Sequence, residues 1–142
     1  MQRAGSVLGI CPDVTVERIN PVPEATELLH SNLYEVFSER DPERRWAAIR
    51  RTYAEDVTFT DPDGDFVGWQ ALSDRAQELL AGASAGEIFE EDGPMYLGAD
   101  AAALVWRFGP PGKPVARGVD IFTIRDGRVS AVRTLIAPQP NA

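Results

Sequence analysis

The sequence is poor in the residues that build metal centres and covalent cross-links. Its 142 residues include one cysteine, Cys11, and one histidine, His30. A single cysteine rules out an internal disulfide and fits a reducing compartment, most simply the cytoplasm. One histidine and one cysteine fall short of a usual zinc site, so neither a metal nor another cofactor is expected. Long apolar runs are missing too. Nothing approaches the roughly 20 residues of a membrane span, and residues 1–20 carry no basic segment leading into an apolar run. Basic residues are outnumbered, 14 Lys and Arg against 22 Asp and Glu, for a formal net charge of -8. A surface for nucleic acid or anionic membrane is therefore not expected. Phosphate-binding glycine loops are also lacking, because Gly109-Pro110-Pro111-Gly112 reads as a turn without the Lys-Ser/Thr of a nucleotide loop.

What is present is an ordinary core. Hydrophobic residues make up 44% and charged residues 25% of the chain, as in soluble globular domains. The length suits one domain with a sizeable interior. Residues 1–22, punctuated by Pro12 and Pro21, read as a flexible or loosely packed arm in which Val14 and Val16 could form a short edge strand. Cys11 in that arm has no basic neighbour and reads as a passive or exposed thiol. Residues 23–137 form the domain, and 138–142 read as a frayed tail.

The first half is helical. A helix is expected over 23–40, with Pro23 in its first turn and Leu29, Leu33, Val36 and Phe37 as its apolar stripe. Asp41-Pro42-Glu43 is a strong start signal for a second helix running to Tyr53. Trp46, Ile49, Arg50 and Tyr53 mark one face of it, with Arg44, Arg45 and Arg51 on the solvated side. A third helix is expected over 69–81, burying Leu72, Ala76, Leu79 and Leu80. The second half is strand and turn. Residues 87–91 and 95–97 read as one strand bent at Gly93-Pro94, followed by strands over 101–108, 115–125 and 129–136. Asp126-Gly127 is a hairpin signal. Helices followed by long antiparallel strands give an α+β pattern. A strongly curved, mixed or antiparallel sheet with three N-terminal helices across its open side makes a cone with a pocket.

Two aspartates break the pattern. Val57, Phe59 and Asp61 share one strand face, so an apolar face ends in a carboxylate. The plain reading is a strand terminator in an Asp-Pro turn. Asp120 sits mid-strand, in phase with Phe122 and Ile124, where aspartate is disfavoured. A salt bridge to Arg117 or Arg133 is the plain reading there. The functional one is a pair of acids kept in different protonation states by different surroundings, with Asp120 the harder to ionise. Trp46, Phe59, Trp69, Trp106, Phe108 and Phe122 are candidate pocket residues for a flat hydrophobic ligand, or simply core.

The stretch Tyr53-Ala54-Glu55-Asp56-Val57-Thr58-Phe59-Thr60-Asp61-Pro62, with Gly68 and the late run Gly118-Val119-Asp120-Ile121-Phe122-Thr123-Ile124, resembles the nuclear-transport-factor-2-like (cystatin-like) superfamily in its SnoaL-like and ketosteroid-isomerase-like branch. The resemblance covers about residues 24–137. It implies a general base at Asp61, a protonated hydrogen-bond donor at Asp120, and a helix-1 tyrosine whose position falls on Leu33 or Tyr34. A small hydrophobic ligand is expected in the pocket, and a homodimer is expected through an open sheet face carrying Val105, Val119 and Ile121, which needs cover. Three functions follow: a cofactor-free isomerase or polyketide cyclase acting on an enolisable ketone; an epoxide hydrolase of limonene-epoxide-hydrolase type, which needs an Asp-Arg-Asp set although Arg107 is out of phase, as is Arg117 unless Gly118 hosts a bulge; or a non-catalytic binding or dimerisation module.

Overall fold

The computed structural model describes residues 24–139. Pro23 and the expected arm, with Cys11, Val14 and Val16, lie outside the described residues, as do residues 140–142 of the tail. Three helical segments come first in the chain, with two strands between the second and third, and five strands follow.

Helix α1 (Ala25–His30) runs without a break into a π-helical turn, Ser31–Val36. The expectation of one uniform α-helix is thereby corrected. The backbone N–H of Phe37 reaches back five residues to the Asn32 carbonyl at 3.1 Å, and the Ser38 hydroxyl donates to the Leu33 carbonyl at 2.6 Å. Leu29, Leu33, Val36 and Phe37 are buried as the stripe required. Helix α2 (Pro42–Thr52) starts where the sequence indicated: the Asp41 side chain accepts from the Arg44 N–H at 2.9 Å. Arg45 does not face solvent. It is 1% exposed, and its guanidinium donates to the Glu39 carbonyl and to Gln77, so the second helix docks through a charged group as well as through Ala48 and Ile49. Helix α3 (Trp69–Ala81) begins after Gly68, whose φ of 93° only glycine adopts freely. Leu72, Ala76 and Leu80 are buried, whereas Leu79 is 39% exposed at the rim of a cavity.

The strands are β1 (Tyr53–Asp61), β2 (Gly64–Val67), β3 (Ile88–Glu91), β4 (Tyr96–Leu97), β5 (Ala101–Gly109), β6 (Ala116–Arg125) and β7 (Arg128–Ile136). Their order across the sheet is β2-β1-β7-β6-β5-β3, with β4 also on β5. Only the β1–β7 pair is parallel, so the sheet is mixed. The two pieces flanking Gly93-Pro94 both pair with β5, as one interrupted strand would. Asp126 and Gly127 take φ of 55° and 77°, the left-handed pair of a tight hairpin, and join β6 to β7. The sheet stays open at β2 and β3 and forms a curved cone around the helices. The core lies between its inner face and the three helical segments, with Tyr53, Val57, Leu104, Phe122 and Val132 buried from the sheet side.

Candidate functional site

A cavity of about 440 Å³ opens between α3, the π-helical turn and the inner face of the sheet. Leu33, Phe37, Phe59, Phe89, Trp106 and Phe108 give it an apolar wall, and Asp61, Arg75, Asp120 and Thr134 supply its polar groups. The strand periodicity that put Val57, Phe59 and Asp61 on one side holds: all three are buried, Asp61 at 8% exposure.

Asp61 is engaged on both oxygens. Its Oδ1 accepts the Asp63 backbone N–H at 2.8 Å, closing the Asp-Pro turn. Its Oδ2 accepts from Nε and Nη2 of Arg75, each at 2.9 Å. Arg75 also meets Asp63 at 2.7 Å and Glu78 at 2.9 Å, and its guanidinium lies 5.0 Å from the Phe66 ring centre. Burial works against the arginine's charge, but the bonds from Glu78, Asp63 and Asp61 outweigh it and keep the guanidinium firmly protonated. Both plain and functional features of Asp61 are thus present at once: it caps a turn, and it presents a carboxylate to the cavity.

Asp120 sits in the opposite kind of setting, 6% exposed and without an arginine. Arg117 turns outward to Asp92 at 2.6 Å, and Arg133 is exposed. The expected salt bridge is therefore replaced by neutral donors. Trp106 Nε1 donates to Asp120 Oδ1 at 3.0 Å, Thr134 Oγ1 donates to the same oxygen at 2.7 Å, and Asn32 Nδ2 donates to Oδ2 at 3.2 Å. Burial pushes the carboxyl up to about 6, against the pull of these three bonds. Strand register explains the cluster. Thr134 is the cross-strand partner of Asp120, and Trp106 lies opposite Gly118. A Cβ at Gly118 would come within 2.4 Å of the Trp106 ring, so the missing side chain is what lets the indole lie across β6 and reach Asp120. Behind Asn32, the buried Tyr53 hydroxyl donates to its Oδ1.

The other sequence candidates divide. Phe59, Trp106 and Phe108 line the cavity. Phe122 is buried in the core and does not line it. Trp46 and Trp69 pack edge to face at 6.3 Å away from it, with Trp69 Nε1 donating to the Tyr53 carbonyl at 3.1 Å and Arg50 over its ring. Tyr34 is on the wrong side. It is 40% exposed, and its hydroxyl donates to Glu91 at 3.1 Å, so Leu33 takes the inward position. Arg107 pairs with Glu90 and Asp92, and it too is absent from the cavity wall. Sequence reasoning missed Asn32, Arg75, Thr134 and Phe89. Asn32 was findable as a polar residue within the stripe of Leu29, Leu33 and Val36, and Arg75 as the residue three on from Leu72 on the buried face. Thr134 needed the register.

Residues 31–132 match the model of the SnoaL-like domain. Among solved structures, a protein of Agrobacterium tumefaciens provisionally assigned as an isomerase of the SnoaL-like family is similar with a TM-score of 0.70 and 24% identity, over 78% of this chain and 95% of that one. A protein of Jannaschia provisionally assigned as a SnoaL-like polyketide cyclase has a TM-score of 0.66 and 14% identity, over 86% and 91%. A protein of Xanthomonas campestris with a cystatin-like fold has a TM-score of 0.63 and 18% identity, over 80% and 91%. At these identities the likeness is one of fold. No curated protein sequence matches the chain.

Proposed function

Since the chain belongs to the SnoaL-like domain family of the nuclear-transport-factor-2-like superfamily, we propose that it is a cofactor-free acid–base enzyme that isomerises or cyclises a hydrophobic, enolisable ketone. One observation carries the reading: two buried aspartates share an apolar cavity in unlike surroundings, one ion-paired and one among neutral donors.

In the proposed reaction Asp61, as a carboxylate, takes a proton from the carbon beside the carbonyl. Asp120, in its acid form, gives a proton to the carbonyl oxygen. The C–H pair becomes the C=C of an enol and no charge is left on the substrate. Returning the proton to a different carbon gives isomerisation. Attack of the enol carbon on a second carbonyl of the same molecule gives ring closure. A group pushed up to about 6 can donate and accept near neutrality. Carboxylates as a class are modest bases, so the substrate's α-proton must be acidified, as between two carbonyls or beside an aromatic ring. Polyketide-like ketones meet that need.

An epoxide hydrolase fits less well. Arg107 and Arg117 are spent on Asp92, and the cavity's Arg75 is held by three carboxylates. A purely structural module leaves the cavity without a purpose. The same reading pairs two copies through the outer sheet face, where Ile121 and Leu135 are 40% and 47% exposed.

The test is NMR-detected exchange of the benzylic α-protons of β-tetralone with solvent deuterium. Wild-type protein should accelerate it, and Asp61→Asn and Asp120→Asn should each lower the acceleration by about a hundredfold or more. Exchange at the wild-type rate in either variant would remove the mechanism.

A further inference from the structure

We propose that Asn32, held in one orientation by the Tyr53 hydroxyl, is a positioning residue that confines the exchangeable proton of Asp120 to a single open lone pair on its Oδ2. The inference rests on the acid–base reading above.

A carboxylate offers about four acceptor sites, two on each oxygen. Both sites on Oδ1 are filled, by Trp106 Nε1 at 3.0 Å and Thr134 Oγ1 at 2.7 Å. The indole is a donor only, so it cannot accept the acid's proton, and Thr134 could accept a proton on Oδ1 only by giving up the bond that it donates. One site on Oδ2 is filled by Asn32 Nδ2 at 3.2 Å. The site left over is on Oδ2, and no described residue donates to it. Asp120 lines the cavity, whereas Asn32 and Tyr53 do not.

Asn32 has two unlike ends, and Tyr53 decides which one Asp120 meets. Tyr53 is 0% exposed, and among the described residues its hydroxyl has Asn32 Oδ1 as its one partner. Reversing the amide would leave the hydroxyl proton without an acceptor, which is costly in the interior. It would also turn a carbonyl oxygen toward Asp120 Oδ2. A proton on Oδ2 would then be drawn into a bond with Asn32. The amide orientation thus decides whether a proton on Oδ2 is spent on Asn32 or left on the open lone pair. Asn32 owes its place to the π-helical turn, whose wide bond from Phe37 N–H ends on the Asn32 carbonyl. Such turns recur at functional sites. Charged neighbours do not compete: Arg117 on the same strand and Arg133 on the neighbouring β7 are exposed, and Asp61 and Arg75 are paired with each other. Tyr53 registers Asp120 directly, its hydroxyl pushed well up by burial and then by the nearby carboxylate.

The experiment is a ¹³C-carboxyl NMR titration of Asp120 in the full chain, without substrate. Tyr53→Phe keeps the ring and frees the amide to turn, so the protonated acid gains an acceptor. The Asp120 midpoint should rise by about one pH unit. Asn32→Leu removes the donor and should move it the same way. Near-UV circular dichroism checks folding, and Tyr53→Phe decides alone if Asn32→Leu does not fold. An unchanged midpoint in folded Tyr53→Phe overturns the proposal, because a tyrosine that only packs would not touch the titration. The outcome is separable from the functional reading. A shifted midpoint with no β-tetralone exchange by wild type leaves the positioning role and removes the reaction. An unshifted midpoint with exchange does the reverse.

Discussion

Asp120 ties stability to pH in a direction opposite to most carboxylates. Its folded value lies near 6 against an ordinary 3.8, so between those values the folded chain holds a proton that the unfolded chain has released. Stability is highest with Asp120 protonated and falls as pH rises from about 4 to about 6. Its share of that loss is on the order of 3 kcal/mol. Asp120→Asn removes this contribution, so the urea midpoints of wild type and variant should diverge over that interval, wild type losing ground as pH rises. Parallel curves would show that the carboxyl is not held up by burial. That an acid sat at 120 on an inward face could be read from strand periodicity alone. Its partners could not. Arg117 and Arg133 were the expected basic partners, but both fall on the outward phase of their strands, and the donors are Trp106 and Thr134, each 14 positions away, and Asn32, 88 positions away.

Among the elements, those with strong local chemistry were legible before any coordinates. Asp41-Pro42 started α2, Asp126-Gly127 turned the last hairpin, and Gly68 began α3. The π-helical turn left no such mark, since it arises from packing and not from a cap or a breaker residue. Its consequences are large, because it fixes Leu33 inward and Tyr34 outward. Tyr34 there joins the π-helical turn to β3: its hydroxyl accepts the Glu91 N–H at 3.3 Å, and His30 at the end of α1 meets the same glutamate at 2.9 Å. Tyr34→Phe should therefore leave β-tetralone exchange intact and lower stability by no more than about 1 kcal/mol, read from urea denaturation. A hundredfold loss of exchange would place the tyrosine back in the reaction.

For the whole molecule, the α+β order and the curved sheet followed from helices first and long strands after, and the covered inner face from alternation along β5 and β6. The extent of the cavity did not follow, because Phe89 and Arg75 reach it from elements whose facing depends on how α3 and β3 close over the cone. The outer sheet face carries apolar residues, with Val105 and Val119 half-buried beside the exposed Ile121 and Leu135. Sedimentation velocity should find a dimer, and Ile121→Glu with Leu135→Glu should give a folded monomer. A wild-type monomer at micromolar concentration would remove the pairing.

The acid–base reading stands or falls on one comparison, the solvent-deuterium exchange of β-tetralone by wild-type protein and by Asp120→Asn at pH 7. Wild type should exchange the α-protons well above the buffer rate, and the variant should fall by about a hundredfold or more with its fold intact. Exchange by Asp120→Asn at the wild-type rate, or by neither protein above buffer, would contradict it.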